Sequence, residues 1–480
     1  MGHAPRDDLG FRSITELGRL LRARELSSVE LTRHILDRLA ALGPTYNALA
    51  ELTPDLALAQ ARRADRLFRQ GRVLGPLQGI PYGAKDLLAT KGIPTRWGSP
   101  AHHHQIFDYD ATVVRRLADA GAVLAGKLAM VELAGGGHYE YPTASLHGPG
   151  LNPWNLAHWS GGSSSGSGSA VAAGLVPYAL GSETWGSIIT PSSFCGITGH
   201  RPTWGLVSRY GAMELAWSMD KVGPMAHTAE DCGLVLQAIA GPDGHDITAA
   251  GPEFTFARRA ARPGLRLGVL PADFTGAPEL EKAFVEAVRV LRRAGLRVAP
   301  AALPDLPYEP TARTLLNGEM AAAHAEFIKS AAVDELVDAG QIAGLKASLD
   351  LRASDYARAQ RARVQITHEV LTLFERFDAL ISPSLMNEAV TVETNLKAMP
   401  RPKGNYSVLG ALCGLPALSV PMGFGTRGLP LGLAITGNLF DDATVLQIGM
   451  LFQRETDWHR RRPPVPVGLR RSGVSTSSSA

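Results

Sequence analysis

The sequence predicts an α/β fold, and three observations carry that expectation. Amphipathic helical stripes alternate along the chain with short apolar runs of strand length. Glycine and proline bound those runs, as they do at strand ends and turns. Neither an internal repeat nor a run of about eighteen apolar residues points to a solenoid or a membrane span. With 480 residues, the length prior suggests about three domains. A chain of this size buries roughly three quarters of its unfolded surface, so a large core is available.

The first segment, 1–70, reads as helices packed on the core. Ser13 with Glu16 forms a capping box, followed by an apolar stripe at Ile14, Leu17, Leu20 and Leu21. Ser27 with Glu30 repeats the signal ahead of Leu31, Ile35, Leu36 and Leu39. A third helix is expected over 54–70. Within 71–253 the character changes. Residues 77–86 form a short extended piece, because Pro81 and the glycines Gly79 and Gly83 oppose a helix. A helix is expected over 112–120, a strand over 122–124, a short helix over 169–173 closed by Gly174, and a buried strand over 176–180.

Residues 254–350 read as a peripheral α/β insert bordering the substrate entrance. It holds a strand over 265–270, a helix over 279–293 and a strand over 296–299. Residues 351–465 return to the main body, with a long helix over 354–377 and apolar strands at 380–381, 417–420 and 431–435. The serine-rich tail, 466–480, is expected to be disordered.

Composition narrows the function. Hydrophobic residues make up 45% and charged residues 19%, as in ordinary globular enzymes. The net charge is +3, too small to argue for nucleic acid. Cys195, Cys232 and Cys413 have no short spacing and form neither a zinc pattern nor a disulfide frame. His102, His103 and His104 lack the carboxylate or cysteine spacing of a metal site and read as a polar loop. Arg460 to Arg462 read as a solvated tail. Met1 to Asp8 is polar and lacks a signal peptide's apolar core, so a cytoplasmic location is expected, with no metal, cofactor or membrane partner. A homo-oligomer remains open.

The reactive candidates lie in two Gly/Ser-rich stretches and one apolar lysine segment. Ser163 sits in the run 161–168 and Ser187 in the run 181–188, twenty-four residues on. A serine that attacks an acyl carbon needs a base for its proton and backbone N–H groups for the oxyanion. Lys85, among Ile80, Pro81, Tyr82 and Ala84, is the candidate base. To act it must be neutral, so its pKa must fall from about 10.4 toward 7, at a cost of about 4 kcal/mol that apolar burial supplies. Residues 162–166 also match the G-x-S-x-G elbow, which would make Ser164 the nucleophile. That elbow needs a hydrophobic strand directly before it, and 152–159 is expected to be no strand. Gly135 to Gly137 read as a loop near the pocket, lined by Tyr139.

Together these motifs resemble the amidase signature family. The resemblance rests on Gly161-Gly162-Ser163-Ser164, on residues 179–188, and on Phe194-Cys195-Gly196, Arg201-Pro202-Thr203 and Gly223-Pro224-Met225. It also rests on Gly79-Ile80-Pro81 through Lys85-Asp86-Leu87, on Gly126-Lys127 and on Gly414-Leu415-Pro416-Ala417. It implies a single α/β/α sandwich around a mixed sheet. It implies a triad of Ser187 as nucleophile, Ser163 as bridging serine in a cis peptide and Lys85 as base. Thr184, Trp185, Gly186 and Ser187 would line the oxyanion hole, with Gly162 and Ser164 in support. The sequence departs from the family where Trp185 replaces a glycine and Ile189 an arginine. Trp185 adds bulk to the site and Ile189 removes a cation. Both favour a neutral or aromatic small-molecule amide. A carbamate or ester is the alternative substrate. The glutaminase subunit of a tRNA-dependent amidotransferase, which would need partner subunits, is the alternative function.

Overall fold

Short apolar strands bounded by turns satisfy their backbone groups only by pairing with one another. The computed structural model describes residues 6–464, apart from 401, 402 and 405, so the expectation for the tail at 466–480 lies outside the described residues. In chain order the strands are β1 (Leu49–Leu52), β2 (Pro81–Lys85), β3 (Val123–Leu128), β4 (Leu151–Asn152), β5 (Asn155–Trp159), β6 (Tyr178–Glu183) and β7 (Thr198–Arg201). They continue as β8 (Lys221–Ala226), β9 (Arg266–Val269), β10 (Arg297–Pro300), β11 (Ala379–Pro383), β12 (Ala417–Phe424) and β13 (Pro430–Gly437). Eleven of them form one sheet, in the order β1-β3-β2-β6-β8-β7-β12-β13-β11-β9-β10. The sheet is mixed: β2 runs parallel to β3 and β6, the strands from β6 to β11 alternate, and β9 and β10 run parallel to β11.

Helices cover both faces, and strand register shows it. Leu418 and Ser419 are successive on β12 and point to opposite faces. A Cβ on Gly449 of helix Asp442–Glu455 would meet Leu418 at 2.2 Å. Ser419 pairs with Ala434, which shares a face with Gly432, and a Cβ on Gly432 would meet Ser193 of helix Ile189–Cys195 at 2.6 Å. The sheet is therefore the middle layer of a sandwich. Strands β2, β3, β8, β11 and β13 are buried along their whole length. Burial on both faces explains why they read as continuous apolar runs rather than as alternation.

Both capping boxes form, opening helices Ile14–Arg22 and Ser28–Leu42. The segment 254–350 lies at the sheet's far end. Its two strands, β9 and β10, extend the main sheet, and helix Pro278–Arg293 packs against β12. Helix Tyr308–Ala323 then packs against helices Ala353–Leu371 and Ser407–Cys413. Two local expectations need correction. The short helix expected over 169–173 starts earlier, as Ser165–Ala172, inside the Gly/Ser run, because tertiary packing buries every residue of a stretch that reads locally as a loop. The stretch 152–159 is not strandless: β4 and β5 pair as a two-stranded ribbon outside the main sheet, with Asn155, Leu156 and Ala157 exposed. Its side chains are mostly polar or solvent-facing, which hides the strand from an apolar-run criterion. The arginine run is exposed, and Arg462 also covers the Phe11 ring, 4.6 Å from its centroid.

Candidate active site

Lys85 ends β2, an interior strand of the sheet, and is 0% exposed. Its Nζ donates to Ser163 Oγ at 2.7 Å and to Ser182 Oγ at 2.9 Å. Both partners are neutral hydroxyls, so no carboxylate holds the ammonium charged by direct contact. Burial lowers the lysine to about 7, against the opposing pull of Asp220 and Glu183. Asp86, next in sequence, turns away to Lys127, 3.1 Å from its Nζ, and both side chains are fully buried.

The peptide bond Gly162–Ser163 is cis. Glycine at 162 answers to crowding: a Cβ there would lie 2.7 Å from the Trp159 ring and 2.8 Å from Val131. The Ser163 carbonyl accepts Val131 N–H at 3.1 Å. The Ser164 N–H donates to the Ser187 carbonyl at 3.3 Å, which ties the second Gly/Ser stretch to the first. The Ser164 hydroxyl bonds the backbone of Ser182, at 3.2 and 3.3 Å. It is engaged with β6 rather than presented as an elbow nucleophile.

After β6 the chain turns sharply through Thr184, Trp185, Gly186 and Ser187 into helix Ile189–Cys195. Gly186 has φ +88°, a conformation that side-chain-bearing residues avoid. Its carbonyl accepts Thr190 N–H at 2.7 Å, so the Ser187 N–H of the same peptide points the opposite way. Among the described residues, the N–H groups of Trp185, Gly186 and Ser187 donate to no protein acceptor. Three unspent donors beside a serine that is 9% exposed make a cradle for a developing negative oxygen. Glu183 anchors the turn from below. Its carboxylate accepts Ile188 and Ile189 N–H at 2.9 and 3.0 Å and the Arg201 guanidinium at 2.7 Å.

Tyr139 approaches Gly162, its Oη 3.2 Å from where a Cβ would stand, and its ring meets Trp159 edge-on at 6.1 Å. Ile189 is buried, at 3% exposure. Trp185 is half-buried, with Arg313 of helix Tyr308–Ala323 over its ring at 5.8 Å. A cleft of about 200 Å³ adjoins the turn, lined by Ser182, Thr184, Tyr210, Met213, Trp217 and Asp220 among others. Away from the site, His102 packs between Trp97 and Phe327, and no cluster of three metal-ligating side chains occurs among the described residues.

Sequence reasoning missed four groups here. Ser182 stands in the quoted stretch, but a serine in a strand carries no separate signal. Asp220 accepts the Thr184 hydroxyl at 2.5 Å and Lys221 reaches the Thr184 carbonyl at 3.4 Å, so the loss of a cation at 189 does not leave the turn without one. Glu183 and Lys221 had a usable cue: each is a charge at the end of an otherwise apolar strand.

A buried lysine–serine pair beside a second serine and a row of free amides is an arrangement able to support acyl transfer without a histidine. Residues 30–446 match the Amidase family, and the chain belongs to that family of amidase signature enzymes. It is 38% identical over 94% of its length to the A subunit of Glutamyl-tRNA(Gln) amidotransferase from Methylococcus capsulatus, covering 98% of that protein. The same-named protein of Chloroflexus aggregans is also 38% identical, with 95% and 99% covered. Among solved structures, native peptide amidase from Stenotrophomonas maltophilia superposes with a TM-score of 0.83 at 32% identity, over 94% of this chain and 98% of that one. The chain is thus an amidase-family hydrolase of C–N bonds, and no helix among its described residues is long and apolar enough to cross a membrane.

Proposed function

We propose that this chain hydrolyses a carboxamide through an acyl-Ser187 intermediate. The observation that carries the proposal is the 2.7 Å contact between a fully buried Lys85 amine and Ser163. Neutral Lys85 draws a proton through Ser163 while Ser187 Oγ attacks the amide carbon. The oxyanion is held by N–H groups of the turn from Thr184 to Ser187. Ser163 returns a proton to the leaving amine, and water releases the acid by the reverse relay. Ser164 and Gly162 hold the relay in register, while Tyr139 and Ile189 wall the pocket.

Two finer readings divide the support. Both bacterial relatives carry the name of the Glutamyl-tRNA(Gln) amidotransferase A subunit. This gives the glutaminase-subunit reading, with glutamine as the amide and companion subunits as partners, more support than the free-standing hydrolase of neutral or aromatic amides. The latter rests on the indole of Trp185 and the apolar Ile189, and a carbamate or ester carbonyl would serve it equally. The experiment is an ammonia assay on glutamine, with and without amidotransferase companion subunits, beside a panel of anilides, carbamates and esters. Glutamine turnover that rises with the companions selects the glutaminase role. Turnover of aryl substrates by the chain alone, with glutamine inert in both conditions, selects the free-standing enzyme. A chain inert toward every carbonyl compound overturns the proposal.

A further inference from the structure

Beneath the turn from Thr184 to Ser187 lies a second buried amine that the relay does not use. Lys221 opens β8, directly opposite Glu183 of β6, and is 3% exposed. Its Nζ donates to the carbonyl oxygens of Met219, of Gly410 at 3.0 Å and of Thr184 at 3.4 Å. The neighbouring charges leave it a task. Glu183 is matched by Arg201 at 2.7 Å. Asp220 is occupied by the Thr184 hydroxyl and by the N–H groups of Leu215 and Ala216. Ile189, at the far end of the turn, brings no charge.

Resting on the acyl-transfer reading above, we propose that Lys221 is a positioning residue for the oxyanion hole, its ammonium acting through the Thr184 carbonyl to aim and polarise the Trp185 N–H. The two groups belong to one planar peptide and point in opposite directions. Fixing the carbonyl oxygen toward Lys221 turns the N–H toward the site. A cation on that oxygen draws electron density from the nitrogen and makes the N–H a stronger donor, most of all away from water. Lys221 itself touches neither substrate nor reacting atom.

The arrangement sets two amines to opposite duties. Lys85 must be neutral and Lys221 charged in the same working enzyme. Burial, with Arg201 and Arg363, pulls Lys221 toward losing its proton, while Glu183 and Asp220 help retain it. Both amines are lowered to about 7, so activity peaks near that pH, rising below it as Lys85 deprotonates and falling above it as Lys221 does. The groups facing Lys221 are Asp220 just before its own strand, Glu183 on β6, Arg201 on β7, Arg363 on helix Ala353–Leu371, and the carbonyls named above.

The test compares wild type with Lys221→Gln and Lys221→Met, using an aryl sulfonyl fluoride as the serine probe and a p-nitrophenyl ester as the turnover substrate across pH. Lys221→Gln keeps N–H donors in place without the charge, so it carries the test if Lys221→Met fails to fold. Expected is a bell-shaped wild-type kcat profile, a roughly 10- to 100-fold lower kcat in both variants with KM unchanged, and loss of the alkaline limb. Wild-type kcat with the alkaline limb intact in Lys221→Gln overturns the role of Lys221 while labelling of Ser187 still supports the hydrolase. Absence of any adduct on Ser187 in wild type sinks the acyl-serine reading, and the positioning role with it.

Discussion

Lys85 sets the acid limb of the site's pH profile. Lys85 sits at about 7 because burial removes the water that would stabilise its charge, and its contacts, Ser163 and Ser182, are neutral. Activity requires the neutral amine, so kcat/KM rises as pH climbs toward about 7, as steady-state rates from pH 5.5 upward will show. A profile already flat by pH 6 means the base is another group. Lys85→Met removes the proton acceptor and leaves the fold's apolar packing in place. A loss of roughly 10²–10⁴-fold in kcat is expected from deleting a general base, and Ser187→Ala is expected to be inactive. At this scale the sequence was informative where chemistry demands rare combinations. A lysine among apolar residues and two serines in glycine runs are legible because alternative explanations need solvent or flexibility, and the burial of all three denies both. Ser182 was not legible, because its role depends on which strand lies beside which, and Lys221 offered only the cue of a charge at the end of an apolar strand.

The element that organises the site is the turn between β6 and helix Ile189–Cys195, and one buried carboxylate governs it. Burial alone would raise the Glu183 carboxyl, but Arg201 and Lys221 outweigh that effect and hold it below the ordinary range. The carboxylate therefore stays charged, capping the first amides of the helix and neutralising Arg201. Glu183→Ala strands a guanidinium that is 1% exposed and uncaps the helix. Breaking a buried pair from one side costs roughly 3–5 kcal/mol, a loss that urea denaturation would register as a lowered midpoint. An unchanged midpoint would show that water replaces the carboxylate and that the turn holds itself. Elements were readable from sequence in proportion to their burial. Strands β2, β3, β11 and β13 announce themselves as apolar runs between glycine and proline. The ribbon of β4 and β5 does not, since three of the five residues of β5 face solvent. Helix Ser165–Ala172 is hidden for the opposite reason: its glycines and serines are poor helix formers, and surrounding packing rather than propensity makes them helical.

Across the whole molecule, the buried titratable groups fix how stability responds to pH, and their signs can be worked out. Burial lowers the pKa of Lys85, Lys127 and Lys221. Lys85 and Lys221, lowered to about 7, lose their protons from there upward in the folded state while the unfolded chain still binds them. The unfolded state thus holds more protons between pH 7 and about 10, and stability rises with pH in that window. Below pH 7 two sets of groups oppose each other. Glu132 and Asp231, raised to about 7 chiefly by burial, make the folded state lose stability as pH rises from 4 to 7. His102, His227 and His459, lowered to about 4 by burial, contribute the reverse over nearly the same range. By pH 7.5 both sets have largely finished titrating and the phenols have not begun, while the three buried thiols, raised by burial, begin to oppose the lysines as the unfolded thiols ionise toward about 8.5. Lys85 and Lys221 then dominate, each contributing on the order of 1 kcal/mol per pH unit. The urea midpoint is therefore expected to climb from pH 7.5 to 8.5, and Lys85→Met to flatten that slope while raising the midpoint at pH 7, since it removes one amine whose burial costs stability. A midpoint that stays flat or falls over this interval would mean the amines keep their charge inside the sheet, and a charged Lys85 could not serve as the base.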